Sequence, residues 1–248
     1  KMKHMRWYSF IGMQNRVSRT LSHIITVSEC ARKDISREFR IPLQRFRVIP
    51  NGINTDLFYP IPEMKREANR IIVTNSADTP LKGLNFLLQA VARVSKARKI
   101  RLTVIGAPKK NGGIEKLIRN LDIGRLITFT GRIDNMEFVR QYAKATVAVV
   151  PSVYEGFGIP AGEAMACGLP VISTTGGALP EVVGNAGILV PPADPEALVK
   201  AITELLDNPD RARKLGQAGF KRVHNLFTWE KAAERTIDAY RETIRGYS

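Results

Sequence analysis

TVAVVPSVYEGFGIPAGEAMACGLPVIST, residues 146–174, changes character three times within one short stretch. It opens as a valine-rich apolar run, turns through the glycines at Gly156 and Gly158, continues as a helix-forming segment through GEAMACG, and closes in a second apolar run at PVIST. Apolar runs of this length without polar alternation predict strands covered on both faces, and strand–turn–helix–strand is the repeating unit of a parallel sheet.

The unit recurs upstream. From residue 70 onward IIVTN, RLTVIG and LITFTG read as strands, and LNFLLQAVARV, IEKLIRNL and MEFVRQYAKA as the helices between them. This order predicts an α/β fold, a Rossmann-like doubly wound parallel sheet. A short strand at GILV and two or three helices follow, the last of them N-capped by Thr228 and running through WEKAAERTIDAYRETI. The first fifty residues hold a separate βα piece: a strand at HIITVS, a helix at ECARKDISREF and a strand at RFRVIP, ended by the turn residues Asn51 and Gly52. The segment YPIPEMKREAN, with two prolines and few apolar residues, reads as a linker.

The chain has 248 residues, 44% hydrophobic and 25% charged, which is the composition of a globular protein with a sizeable core. No run approaches the roughly 18 apolar residues of a membrane span. The start, KMKHMRWYSFIGMQNRVSRT, lacks the apolar core and cleavage site of a signal peptide and reads like the interior of a longer sequence. Cys30 and Cys167 have no metal or redox spacing, and His4, His23 and His224 are scattered. Reduced thiols, a cytoplasmic setting and no metal site are therefore expected.

With 38 Lys and Arg against 23 Asp and Glu, the net charge is +15. That excess suits an acidic partner of some kind: nucleic acid, anionic lipid or a phosphorylated small molecule. The local run Arg93, Lys96, Arg98, Lys99 and Arg101 sits where a helix ends and a strand begins, a position the helix dipole favours for cations. Aromatics make up 7% of the chain and do not interleave with basic residues, so no nucleic-acid partner is expected.

Glu155 precedes a Gly-x-Gly turn, Pro160 stands near the first helical position, and Glu163 falls inside the new helix. Free backbone N–H groups at such a helix start, together with the dipole, suit a diphosphate, and glycines let it approach. Carboxylates on either side would accept hydrogen bonds from sugar hydroxyls. Taken alone, Gly156 and Gly158 fit a tight packing turn; the full string says more.

Glu155, Gly156, Phe157, Gly158, Pro160, Glu163 and the following AMACGLP closely resemble the Glu-x7-Glu motif of retaining GT-B glycosyltransferases of family 4 (glycosyltransferase group 1). RVIPNGINTDLFYP is similar to that family's interdomain crossover, TVSECARKDI to the end of its N-terminal domain, and Lys82-Gly83 to its phosphate-binding Lys-Gly. Gly131 and TTGGALPEVV match further landmarks. The resemblance implies three parts: residues 1–58 as a remnant of the acceptor-side N-terminal domain with the crossover, 59–227 as the donor-nucleotide-binding domain, and 228–248 as a helix packing back toward the N-terminal domain.

It also implies roles. Glu155 and Lys82 would be the catalytic pair, Lys82 on the donor diphosphate and Glu155 on hydroxyls of the transferred sugar. Glu163 would hold the ribose, backbone groups of Gly156, Phe157, Gly158 and Ile159 would meet phosphate and sugar, and Gly131, Arg132 and Ile133 would approach the base. The donor would be a nucleoside-diphosphate sugar, UDP- or GDP-linked, with no further cofactor. The acceptor would be unassigned, of a kind that includes lipid-linked ones, and the basic charge would favour peripheral contact with an anionic membrane.

Two departures stand out. The family's Gly-Arg, a few residues before the lysine, is replaced by Asn75, Ser76, Ala77 and Asp78, so either donor affinity is weakened or another cation, Arg132 or Lys109, substitutes. The rest of the N-terminal domain is expected to precede residue 1. The chain by itself should then bind donor but transfer sugar poorly, because a near-attack geometry needs both walls of the cleft. A non-catalytic nucleotide-sugar-binding module is the alternative. A glycosidase, with Glu155 and Glu163 as acid and base, is disfavoured by their setting at a phosphate-type helix start.

Overall fold

The computed structural model describes residues 2–75 and 79–245, with side chains from Phe10 onward. Two parallel sheets organise it. The first is small: β1 (Ile24–Thr26) pairs with β2 (Phe46–Val48), joined by α2 (Glu29–Phe39), with α1 (Met2–Thr20) ahead of them. The N-terminal helix is a finding that sequence reading did not foresee, since KMKHMRWYSFIGMQNRVSRT carries no clear apolar stripe.

The second sheet has six strands in the order β5-β4-β3-β6-β7-β8: β3 (Arg70–Thr74), β4 (Arg101–Ile105), β5 (Ile127–Phe129), β6 (Val147–Val150), β7 (Val171–Thr174) and β8 (Ile188–Val190). Every neighbouring pair is parallel. The central strands are buried along their length, β6 and β7 at every position, which is why they read as unbroken apolar runs.

Helices cover both faces. On one, α3 (Leu84–Val94) and α8 (Pro195–Asp207) close a core of Ile71, Leu87, Leu102, Val149 and Ile202. On the other, α5 (Asn135–Lys144), α6 (Ile159–Ala166), α7 (Leu179–Val183) and α9 (Pro209–Leu226) close a core of Ile72, Tyr142, Met165, Leu169 and Val223. The helix α4 (Gly113–Asn120) flanks α3. Helix α10 (Trp229–Arg245) ends the described chain: Ile53 N–H donates to Phe227 O at 2.7 Å just before it, and Arg47 of β2 pairs with its Glu242. Gly52 lies so close to Trp229 that an added Cβ would stand 2.5 Å from the Trp229 Cα.

In this order the connections leaving β3 and β6 run toward opposite edges of the sheet. The crevice between the carboxyl ends of those two strands is the topological switch point, where open α/β sheets take their ligands. Much of the basic run after α3 is engaged: Arg93 pairs with Glu196 at 2.7 Å, Arg101 with Glu67 at 3.6 Å, and Arg98 with Asp207.

Candidate donor site at the sheet switch point

Lys82 follows β3 and Glu155 follows β6, so the two flank the switch point although 73 residues separate them. The chain turns after Lys82 through Gly83, at φ 67°, where a Cβ would lie 1.9 Å from Pro151 O; only glycine fits against that carbonyl. Val153 N–H donates to Leu81 O at 2.8 Å and ties the two loops together. The result is an ion pair, Lys82 Nζ to Glu155 Oε1 at 2.6 Å, with side chains 30% and 12% exposed. Ser152 Oγ donates to the same oxygen at 2.9 Å. The negative charge that the lysine's position calls for is supplied by the chain itself.

Beyond Glu155 the backbone is held in a defined path. Gly158 sits at φ 107° as the N-cap of α6, and no side chain caps that helix. Among the described residues, the N–H groups of Phe157, Gly158 and Ile159 donate to no protein acceptor. The Phe157 ring is buried against Phe227 at 5.8 Å between centroids, which leaves only its backbone for a ligand, and Ile159 is exposed. An unpaired helix start with a glycine on its approach is a competent anion site.

Glu163 stands in the second turn of α6, half-buried, and its carboxylate has no hydrogen-bond or ion-pair partner among the described residues. Burial pushes its carboxyl up to about 7. One turn further on, burial and the Glu163 charge push the Cys167 thiol up to about 12. Gly131, at φ 65°, lies two residues past β5 and donates to Gly106 O at 3.0 Å. Arg132 beside it is exposed, and Ile133 packs against the core. The predicted residues thus share the carboxyl-end side of the sheet, with Lys82 and Glu155 touching and 131–133 toward the β5 edge.

Ser76, Ala77 and Asp78 lie outside the described residues. Asn75, which follows β3, is 2% exposed, and neither its amide oxygen nor its nitrogen has a partner among the described residues. A buried, unpaired amide next to the crevice is a polar demand that the described residues leave unmet. Sequence reading missed it, as it missed Ser152, a serine with no motif of its own. Among the described residues no three of His, Cys, Asp and Glu stand close enough together to hold a metal ion. A cavity of about 920 Å³ opens at the other end of the sheet, between Pro60, Arg66 and Phe220, and includes none of the predicted site residues.

The sequence matches the family described as Glycosyl transferases group 1 over residues 60–222, and Glycosyltransferase Family 4 over residues 2–57. It is 41% identical over 242 residues to MMP alpha-(1->4)-mannosyltransferase of Mycolicibacterium hassiacum, a match covering 96% of this chain and 58% of that protein. Among solved structures it is similar to sucrose-phosphate synthase from Thermosynechococcus elongatus, with a TM-score of 0.83 and 32% identity over 94% of this chain and 61% of that one. HepE from Anabaena, solved with UDP and glucose, shares the fold at a TM-score of 0.80 and 19% identity, over 92% of this chain and 67% of that one. The chain spans a little over half the length of the mannosyltransferase. With the six-stranded parallel sheet and these matches in hand, the chain belongs to the group 1 glycosyl transferases, of the GT-B, Rossmann-like architecture.

Proposed function

We propose that this chain is the donor-binding half of a glycosyltransferase that moves a sugar from a nucleoside-diphosphate sugar to an acceptor with retention at the anomeric carbon. The observation that carries the reading is the Lys82–Glu155 pair across the switch point, beside a helix start whose N–H groups are unpaired among the described residues. On donor binding Lys82 takes the diphosphate together with the backbone of Gly156, Phe157, Gly158 and Ile159, and Glu155 turns to hydroxyls of the sugar. Glu163 accepts from the ribose hydroxyls, and Gly131, Arg132 and Ile133 meet the base. Asn75 offers the crevice an unused amide in the region where the family's arginine is missing.

Catalysis in this reading is electrostatic. Lys82 and the α6 terminus stabilise the departing diphosphate while the oxocarbenium-like sugar is met on the same face by the acceptor. The UDP and glucose held by HepE support a UDP-linked donor, and a relative named as a GDP-mannose-dependent mannosyltransferase, 32% identical over 77% of this chain, supports a GDP-linked one. The chain alone binds donor and transfers poorly, and its +15 charge draws this half toward anionic membrane surfaces where lipid-linked acceptors lie.

The test is a thermal-shift panel of UDP, GDP and ADP with and without their sugars. UDP or GDP should raise the melting temperature by several degrees at about a hundredfold excess over Kd. A panel with no response to any nucleoside diphosphate would sink the reading.

A further inference from the structure

Two successive peptide planes of the glycine loop are gripped from outside it. Ala178 N–H, at the start of α7, donates to Glu155 O at 2.8 Å, which fixes the 155–156 peptide. The approach is possible because residue 177 is glycine at φ 64°, where a Cβ would lie 2.2 Å from Glu155 O. Ser28 Oγ donates to Gly156 O at 2.8 Å and fixes the 156–157 peptide. In a planar trans peptide the C=O and the next N–H point in opposite directions. With the Gly156 carbonyl drawn onto Ser28, the Phe157 N–H must face away from α2, and it meets no protein acceptor among the described residues.

Ser28 is itself held firmly. It is the N-cap of α2, 1% exposed, and its Oγ also accepts from Ala31 N–H at 3.0 Å. The α2 N-terminus is seated by Glu181 of α7, whose two carboxylate oxygens accept from Glu29 N–H at 2.8 Å and Cys30 N–H at 2.7 Å. Arg222 of α9 braces that helix by donating to the carbonyls of Glu181 and Val182, each at 2.8 Å. Tyr154, just before the loop, donates to Asp34 of α2 at 2.6 Å.

We infer that Ser28 is a positioning residue for the donor site: its hydroxyl sets the Gly156–Phe157 peptide so that the Phe157 N–H is presented to the diphosphate. This rests on the donor-site reading above. A hydroxyl at the start of α2 thereby fixes a phosphate-facing amide in the loop after β6, 128 residues away.

The experiment compares Ser28→Ala, Ser28→Thr and Glu181→Gln with the unmodified chain. It uses calorimetric titration with UDP and GDP, thermal melting, and the amide NMR spectrum without nucleotide. Loss of the hydroxyl should weaken nucleotide binding about tenfold, the scale of one hydrogen bond aimed at an anion. It should also shift the Phe157 amide resonance in the free protein. Ser28→Thr, which keeps the hydroxyl, should restore both. Glu181→Gln loosens α2 while leaving the Ser28 bond in place and should lower the melting temperature with a smaller loss of affinity. Unchanged affinity and an unmoved Phe157 amide in Ser28→Ala would overturn the inference, as would an equal loss of affinity in Glu181→Gln at matched stability. Failure of the unmodified chain to bind either nucleotide sinks the donor reading instead, and is seen before any variant is made.

Discussion

Glu163 should make the ligand-free chain less stable as pH rises, and Glu163→Gln should remove that dependence. Burial lifts its carboxyl from an ordinary 4.5 to about 7, so the native state holds a proton that the unfolded chain has already released. Where the native state binds more protons, stability falls with increasing pH. The contribution is therefore complete below about pH 4.5, fades through neutrality and is gone above about pH 7. A difference of that size amounts to about 3 kcal/mol. Glutamine buries an amide at the same place at a cost that does not change with pH, and every other titrating group is common to the two proteins. Urea unfolding of both, at pH 5 and pH 8, isolates this contribution: the unmodified chain should lose about 2.5 kcal/mol more than Glu163→Gln across that span, because a small part is already lost by pH 5. Parallel pH profiles would refute the reasoning, since they would mean that water reaches the carboxylate in the native state.

The same carboxyl links protons to binding. If ribose hydroxyls prefer the ionised form, nucleotide binding at pH 7 should release about half a proton, read as a dependence of calorimetric heat on the buffer's ionisation enthalpy; heats identical across buffers would contradict it. Gly83→Ala should destabilise the chain by about 3 kcal/mol in chemical denaturation, because the residue combines a positive φ with a carbonyl too close for a Cβ, and a loss under about 1 kcal/mol would show that the loop can shift. Glu155→Gln should bind bare UDP or GDP more tightly than the unmodified chain while gaining less from an attached sugar, and the opposite ranking in a titration series would count against the exchange argued below.

The strands were legible because burial on both faces selects unbroken Val/Ile runs, and α3 was legible to the residue because LNFLLQAVARV carries a full apolar stripe. Helix α6 starts at Ile159, ahead of the GEAMACG core that marked it, because Gly158 at positive φ and Pro160 together set the boundary. What stayed hidden depended on strand order. Lys82 and Glu155 meet because β6 lies beside β3, with β4 and β5 intervening in sequence but placed on the far side. No local pattern encodes that crossover. Ser28 illustrates the same limit: a serine immediately ahead of a helix is a visible N-cap, but its second bond, to Gly156, exists only once the two sheets are placed.

The Lys82–Glu155 pair changes how the absent arginine is understood. Asp78 and its neighbours fall outside the described residues, so attention moves to the cation whose place is known. Without ligand, Lys82 is neutralised by Glu155, and Ser152 donates to that same carboxylate oxygen. In the proposed donor complex a diphosphate, which carries more negative charge than a carboxylate, would also be met by the α6 terminus, so exchanging Glu155 for phosphate would favour the bound state. The released carboxylate would then be left half-buried and short of a counter-charge, a cost that a sugar offering hydroxyl donors relieves and a bare nucleotide does not. Under the proposed function one lysine would serve both states, and the ion pair would make donor affinity depend on the sugar as well as on the phosphates. That coupling is a property of the pair: an arginine added to the loop would strengthen the grip on phosphate but leave Glu155 without a reason to move.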